Sequence, residues 1–134
     1  EGFVLVQARS DAEWFAAHLE GVALVERWCL DSLTDLGAMV GGTIRATGGG
    51  SRSDIWLQVR AHVLQRSLER PAVADGAMGS ALLAASRTLF DGLTAAARAM
   101  VRIAKRVEPD AALGPCYADK LDQLRERCRE LGYL

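Results

Sequence analysis

The chain has 134 residues, half of them hydrophobic and a quarter charged, with a formal net charge of −1. That is enough for about one globular domain with a real core. The near-neutral balance, with arginines scattered among acids rather than clustered, argues against nucleic acid or an anionic membrane as a main partner.

Phe3–Val6 reads as a short strand. Ser10-Asp11-Ala12-Glu13 has the S-x-x-E form of a capping box, which predicts a helix from there to about Leu36 with Gly37 placed to end it. Phe15, Leu19, Val22, Cys29, Leu33 and Leu36 recur at spacings of three and four, interrupted at Glu26, and are expected to form its core face, with Trp14 and Trp28 at the edge. Gly41-Gly42 then separate the helix from a strand around Thr43–Ala46. Asp54 to about Gln65 is predicted helical, capped by Ser51 or Ser53 and burying Ile55, Leu57, Val59, Val63 and Leu64. Ser67–Arg70 reads as a brief edge-like strand stopped by Pro71.

From about Asp75 to Phe90 a small-residue helix is expected, whose faces suit tight packing of a neighbour or a flat ligand. Asp91-Gly92 breaks the pattern, and a further helix is predicted from Leu93 to about Lys105. Glu108 to Pro115 is a turn-laden connector. Cys116 to Leu131 closes the chain as an amphipathic helix with Tyr117, Leu121, Leu124, Cys128 and Leu131 on one face. Two or three parallel strands among so many helices look like one edge of a larger α/β domain. Glu1 in place of an initiator Met points the same way, to a piece of a longer chain.

No apolar stretch reaches the length of a membrane span and the start lacks a signal-peptide layout. Cys29, Cys116 and Cys128, without paired spacing, read as reduced thiols, and a cytoplasmic location is expected. His18 and His62 lie too far apart to suggest a metal site. His62 has no orienting acid nearby in sequence and is expected on a helix surface.

Three consecutive glycines, Gly48-Gly49-Gly50, stand between a β-prone run and a helix opening with Ser, Asp and Trp. Glycine permits positive φ and close approach to the main chain, and a helix start behind it offers unpaired N–H groups. Such a unit suits a phosphate or nucleotide. It is neither GxxxxGK[ST] nor GxGxxG, so a turn that merely avoids a clash stands beside the phosphate reading.

Ala46-Thr47-Gly48-Gly49-Gly50-Ser51-Arg52-Ser53-Asp54-Ile55-Trp56-Leu57-Gln58, preceded by Leu19-Glu20-Gly21-Val22-Ala23 and followed by Ala77-Met78-Gly79-Ser80-Ala81, resembles the FGGY carbohydrate kinases, in their xylulose-kinase-like part. The resemblance covers nearly all of residues 1–134 and implies the C-terminal piece of a ribonuclease H-like, actin-like ATPase fold, helix-rich with a few mainly parallel strands. It implies transfer of the γ-phosphoryl group of ATP, with Mg²⁺, to a hydroxyl of a ketose or polyol. Carried over residue by residue, Gly48, Gly49 and Gly50 approach the phosphate and ribose side, Ser53 lies near the adenine, and Ala77 and Gly79, with Met78, help wall that pocket. Trp56 is read as packing its helix on the sheet, and Arg52 as solvated or reaching a phosphate.

The chain departs from the family pattern at His62, where relatives usually have Asp, and at Val73–Gly76, where Asp75 stands in for a Glu. The catalytic base and the sugar-binding domain are not among these residues, so the piece alone is expected to be inactive. Its partners are then ATP, a sugar and the rest of the parent chain, with a homodimer as a further option. The alternative is a non-catalytic actin-like or helical interaction domain.

Overall fold

Ser10 accepts the Glu13 N–H at 3.2 Å and Glu13 accepts the Arg9 N–H at 2.5 Å, so helix α1, Asp11–Asp35, begins at the predicted cap. It ends in a Schellman motif: Gly37 takes φ +88°, its N–H donates to Thr34 O, and the Ala38 N–H donates to Leu33 O, both at 2.9 Å. The structure, a computed structural model, describes residues 7–133, and the strand expected over Phe3–Val6 lies outside the described residues.

Strand β1 is Thr43–Arg45, followed by a 3₁₀ turn at Gly49–Arg52, helix α2 at Asp54–Leu64 and strand β2 at Ser67–Pro71. β1 and β2 are parallel, with Ile44 opposite Leu68, and α2 is the crossover between them. Helices α3, Gly76–Thr88, and α4, Leu93–Met100, pack against each other through their alanine-rich sides, burying Ala85 and Ala96.

The helix expected from Leu93 to about Lys105 stops at Met100. Instead, the chain turns extended at Val101, and Ile103–Val107 forms strand β3, antiparallel to β2 with Leu68 opposite Val107 and Arg70 opposite Lys105. A five-residue run with β-branched ends has a weak helical pattern, and a ladder with a strand 32 to 39 positions earlier outweighs it. The sheet order is β1-β2-β3, one parallel and one antiparallel pair, so β2, expected at an edge, is central. Pro71 lacks an N–H and the register shifts between Arg70 and Pro71, which ends the strand. After a short 3₁₀ turn at Ala111–Leu113, helix α5 spans Gly114–Glu130 and buries Tyr117 and Leu121.

Helix α2 lies at the centre. Leu57, Ala61 and Leu64 pack on Ala46, Leu68 and Val107 of the sheet side, while Val63 joins Ala23 and Leu24 of α1 and Tyr117 and Leu121 of α5. Ile55, expected inside, is 72% exposed.

The face assigned to α1 is also corrected: Phe15 is 66% exposed, Leu36 85%, and Val22, Cys29 and Leu33 are exposed as well. The inner face is Ala23, Leu24 and Trp28 together with charged residues that are all paired. Glu26 receives both Nε and Nη2 of Arg60, at 2.8 and 2.5 Å. Glu20 accepts Tyr117 Oη at 2.9 Å and Lys120 Nζ at 2.5 Å, Arg27 donates to Val63 O at 3.1 Å, and Arg125 meets Asp31 at 3.2 Å. Half-buried ion pairs with fork geometry can occupy a helix interface that a count of apolar residues leaves empty.

Leu57 is fully buried between α2 and the sheet, so Leu57→Ala should cost about 3 kcal/mol in urea unfolding. Ile55→Ala, two residues earlier and on the opposite, exposed side of the same helix, should stay within about 0.5 kcal/mol. Burial, then the Glu20 carboxylate, pushes the Tyr117 hydroxyl up to about 12. The folded state therefore favours the neutral phenol: its contribution is complete below the ordinary value of 10 and declines as pH rises toward 12. Tyr117→Phe should flatten this alkaline loss of stability in pH-dependent denaturation.

Candidate functional site

β1 hands the chain directly to the glycine turn. The Ala46 N–H donates to Glu69 O at 2.8 Å, holding the chain against β2 until it leaves the sheet. Gly48 then adopts φ +84° and ψ 179°, a conformation essentially restricted to glycine. Its N–H donates to Ala74 O at 2.7 Å, and its carbonyl accepts both the Ser51 N–H at 3.1 Å and the Ser51 hydroxyl at 2.7 Å. Ser51 is the buried polar residue that closes the turn from below. Ser53, the other cap candidate, caps α2 by accepting the Trp56 N–H at 3.2 Å.

Above that closure the turn is open. Among the described residues, the N–H groups of Gly49 and Gly50 have no backbone partner. A methyl group built on Gly49 meets nothing within 4 Å, and one on Gly50 meets only the Trp56 indole at 3.4 Å. Trp56 thus supports the turn and packs with the α1–α5 cluster. Its expected contact with the sheet is made instead by Leu57, Ala61 and Leu64.

The Gly48–Ala74 bond sets the start of α3 beside this turn. Asp75 is the N-cap residue of α3 but makes no side-chain cap bond, and Gly76 and Ala77 have no backbone acceptor for their N–H groups among the described residues. Ala77 and Gly79 are exposed in the first turn of α3, with open space where a Gly79 side chain would lie. Two amide-bearing segments, Gly49–Gly50 and Gly76–Ala77, therefore belong to adjacent loops at one end of the sheet. Arg52 and Asp75 face each other across them at 3.4 Å, both well exposed, a pair of little energetic weight.

Sequence reasoning missed Arg70. From β2 its Nη1 lies 3.2 Å from Ser51 O, 3.1 Å from Arg52 O and 2.9 Å from Asp54 Oδ1, while Lys105 of β3 holds Asp54 Oδ2 at 2.6 Å. The hydrogen bond from Lys105, aided by Arg70, holds the Asp54 carboxyl below its ordinary value. An arginine in a strand gives no local signal for such a role, because its partners become neighbours only through the sheet.

His62 is half-buried rather than on an open surface. Its Nδ1 accepts the Asp110 N–H at 2.9 Å, Gln58 donates to Glu108 O at 3.0 Å, and Gln65 donates to His62 O and Asp110 O at 2.7 and 3.0 Å. These three residues on α2 and its C-cap clasp the connector before α5.

An open cavity of about 610 Å³ lies between α4 and the sheet, lined by Arg45 of β1, Ile103 of β3 and Leu93, Ala97, Arg98 and Val101 among others. A second, of about 80 Å³, lies beneath the α3 start, bounded by Pro71, Val73, Met78 and Met100. The glycine turn lines neither and sits on exposed surface. Among the described residues no three His, Cys, Asp or Glu side chains gather to hold a metal ion, and no helix is long and apolar enough to cross a membrane.

Residues 5–88 match the model of the C-terminal domain of the FGGY family of carbohydrate kinases. The structure is similar to xylulose kinase from Rhodospirillum rubrum, with a TM-score of 0.75, 28% identity and 98% of this chain covered. It is similar to the "xyloylose" kinase from Brucella ovis at 0.79, 29% and 96%, and in fold to gluconate kinase from Lactobacillus acidophilus at 0.77, 20% and 95%. The chain spans 26–27% of the length of these three proteins. With its helix-rich layers and small mixed sheet, it has the actin-like ATPase fold of those kinases. The chain belongs to the FGGY family of carbohydrate kinases, within whose C-terminal domain its glycine turn and the α3 start both fall.

Proposed function

We propose that this chain is the adenosine- and phosphate-binding part of an ATP-dependent sugar kinase that phosphorylates a hydroxyl of a ketose or polyol. The observation that supports the reading is the 2.7 Å bond from Gly48 N to Ala74 O, which joins two stretches of unpartnered backbone N–H into one surface. Phosphoryl transfer depends mainly on positioning and on stabilising charge, and fixed main-chain amides supply both without side-chain reorganisation.

In this reading Gly48, Gly49 and Gly50 hold the phosphate and ribose side, the missing side chain at Gly49 letting the nucleotide approach. Ala77 and Gly79 form a thin wall against the flat base, with the exposed face of Ser53 near the adenine. Mg²⁺ arrives with ATP, and the base that takes the sugar hydroxyl's proton lies outside these residues, so the 134-residue chain alone is inactive. The exposed apolar side of α1, with Phe15, Val22 and Leu36, is the face the rest of the parent chain covers, and the enzyme works in the cytoplasm.

The test is ATP consumption by the parent protein with a panel of pentuloses, hexuloses and polyols. Turnover with one class is expected, and no turnover with any of them would refute the kinase reading. Gly49→Val, whose side chain meets open space, should leave the unfolding free energy of the parent within about 0.5 kcal/mol while raising the ATP KM about tenfold or more. Unchanged ATP KM would remove the turn from the nucleotide site.

A further inference from the structure

The carbonyl side of the glycine turn is as definite as its amide side. In a 3₁₀ turn the N–H groups point toward its start and the C=O groups toward its end, so a turn that presents Gly49 and Gly50 amides leaves carbonyls at Ser51 and Arg52 to be satisfied. Arg70 meets both, at 3.2 and 3.1 Å, with the same nitrogen that meets Asp54 at 2.9 Å. That nitrogen carries two hydrogens, so one is shared among the three acceptors. Arg70 is only about one-fifth exposed and lies on the central strand, a rigid base. Lys105, directly across the β2–β3 ladder from Arg70, takes the other oxygen of Asp54 at 2.6 Å. Asp54 is in the first turn of α2, so the two cations fix the helix start and the turn before it as one unit.

We propose that Arg70 is a positioning residue: it grips the carbonyl side of the Gly48–Arg52 turn, keeps the opposite amide side presented, and so sets affinity for ATP rather than the rate of phosphoryl transfer. The inference rests on the nucleotide role proposed above. A lysine at this position would preserve the charge, and its ammonium carries three hydrogens for the three acceptors that a single Arg70 nitrogen serves, on a shorter and more strongly hydrated head.

The test combines amide hydrogen exchange with steady-state kinetics on the intact kinase chain carrying these residues. Arg70→Gln should speed exchange of the hydrogen-bonded Gly48, Ser51 and Ser53 amides about tenfold or more while segments in α5 stay unmoved. It should raise the KM for ATP about tenfold, with kcat and the sugar KM within about threefold. Arg70→Lys should recover part of both changes, which a purely structural loss would not predict. Should Arg70→Gln fail to fold, Asp54→Asn keeps the arginine, weakens its anchor and should loosen the same segment by a smaller factor. Unchanged exchange across Gly48–Ser53 in the folded variants overturns the proposal, as does a fall in kcat with the ATP KM unmoved. If the unsubstituted parent has no ATP affinity, the nucleotide reading itself falls and takes the affinity half of this proposal with it, while the exchange contrast still decides whether Arg70 holds the turn.

Discussion

The contact of Leu57, Ala61 and Leu64 with Leu68 and Val107 is the constraint on which the rest of the molecule depends. It seats α2 on β2 and β3, and because α2 is also the crossover from β1 to β2, it fixes where the chain must turn between strand and helix. The three glycines occupy that point. Packing of this density tolerates little displacement, so an open turn of small residues inherits its position from buried leucines that have no chemistry of their own. Polar bonds then refine the position from below through Ser51 and from behind through Arg70.

The second face of α2 is built on a different principle. Val63 and a rim of tryptophans and leucines supply apolar contact with α1 and α5, and beside them half-buried carboxylates each meet a guanidinium, an ammonium or a phenol. Such pairs add little net stability compared with well-packed apolar side chains, yet breaking one leaves a poorly solvated charge. They define the rotation of α1 about its own axis, turning Glu20, Arg27 and Asp31 inward and Phe15, Val22 and Leu36 outward.

Local punctuation in the sequence was legible because its chemistry is local. Ser10 with Glu13, Gly37 at positive φ, Ser53 before α2 and Gly48 at the turn act within a few residues of themselves, and each stands where its residue type indicates. The parallel β1–β2 pair followed from the strand–helix–strand order, and the closeness of the glycine turn to the Ala77–Gly79 segment from the family resemblance; the Gly48–Ala74 bond brings the glycine turn and the α3 start to one end of the sheet. The features the sequence hid are those decided at a distance. β3 exists because β2 offers it a ladder, the inner face of α1 is charged because Arg60, Lys120 and Arg125 come to meet it, and Arg70 acts on atoms sixteen to nineteen positions earlier. His62 looked like a surface residue for the same reason: its partner, the Asp110 N–H, is forty-eight positions away.

Pro71 gives the central strand a definite length. Pro71 brings no N–H and the register slips there, yet the Ala72 N–H still reaches Arg102 O at 2.8 Å; beyond it the chain peels off and delivers the Ala74 carbonyl to Gly48. Only Val73 and Ala74 and the cap residue Asp75 separate the last bonded rung, at Ala72, from the first turn of α3, so the bond to Gly48 falls inside a three-residue span and ties the height of that helix start to the glycine turn.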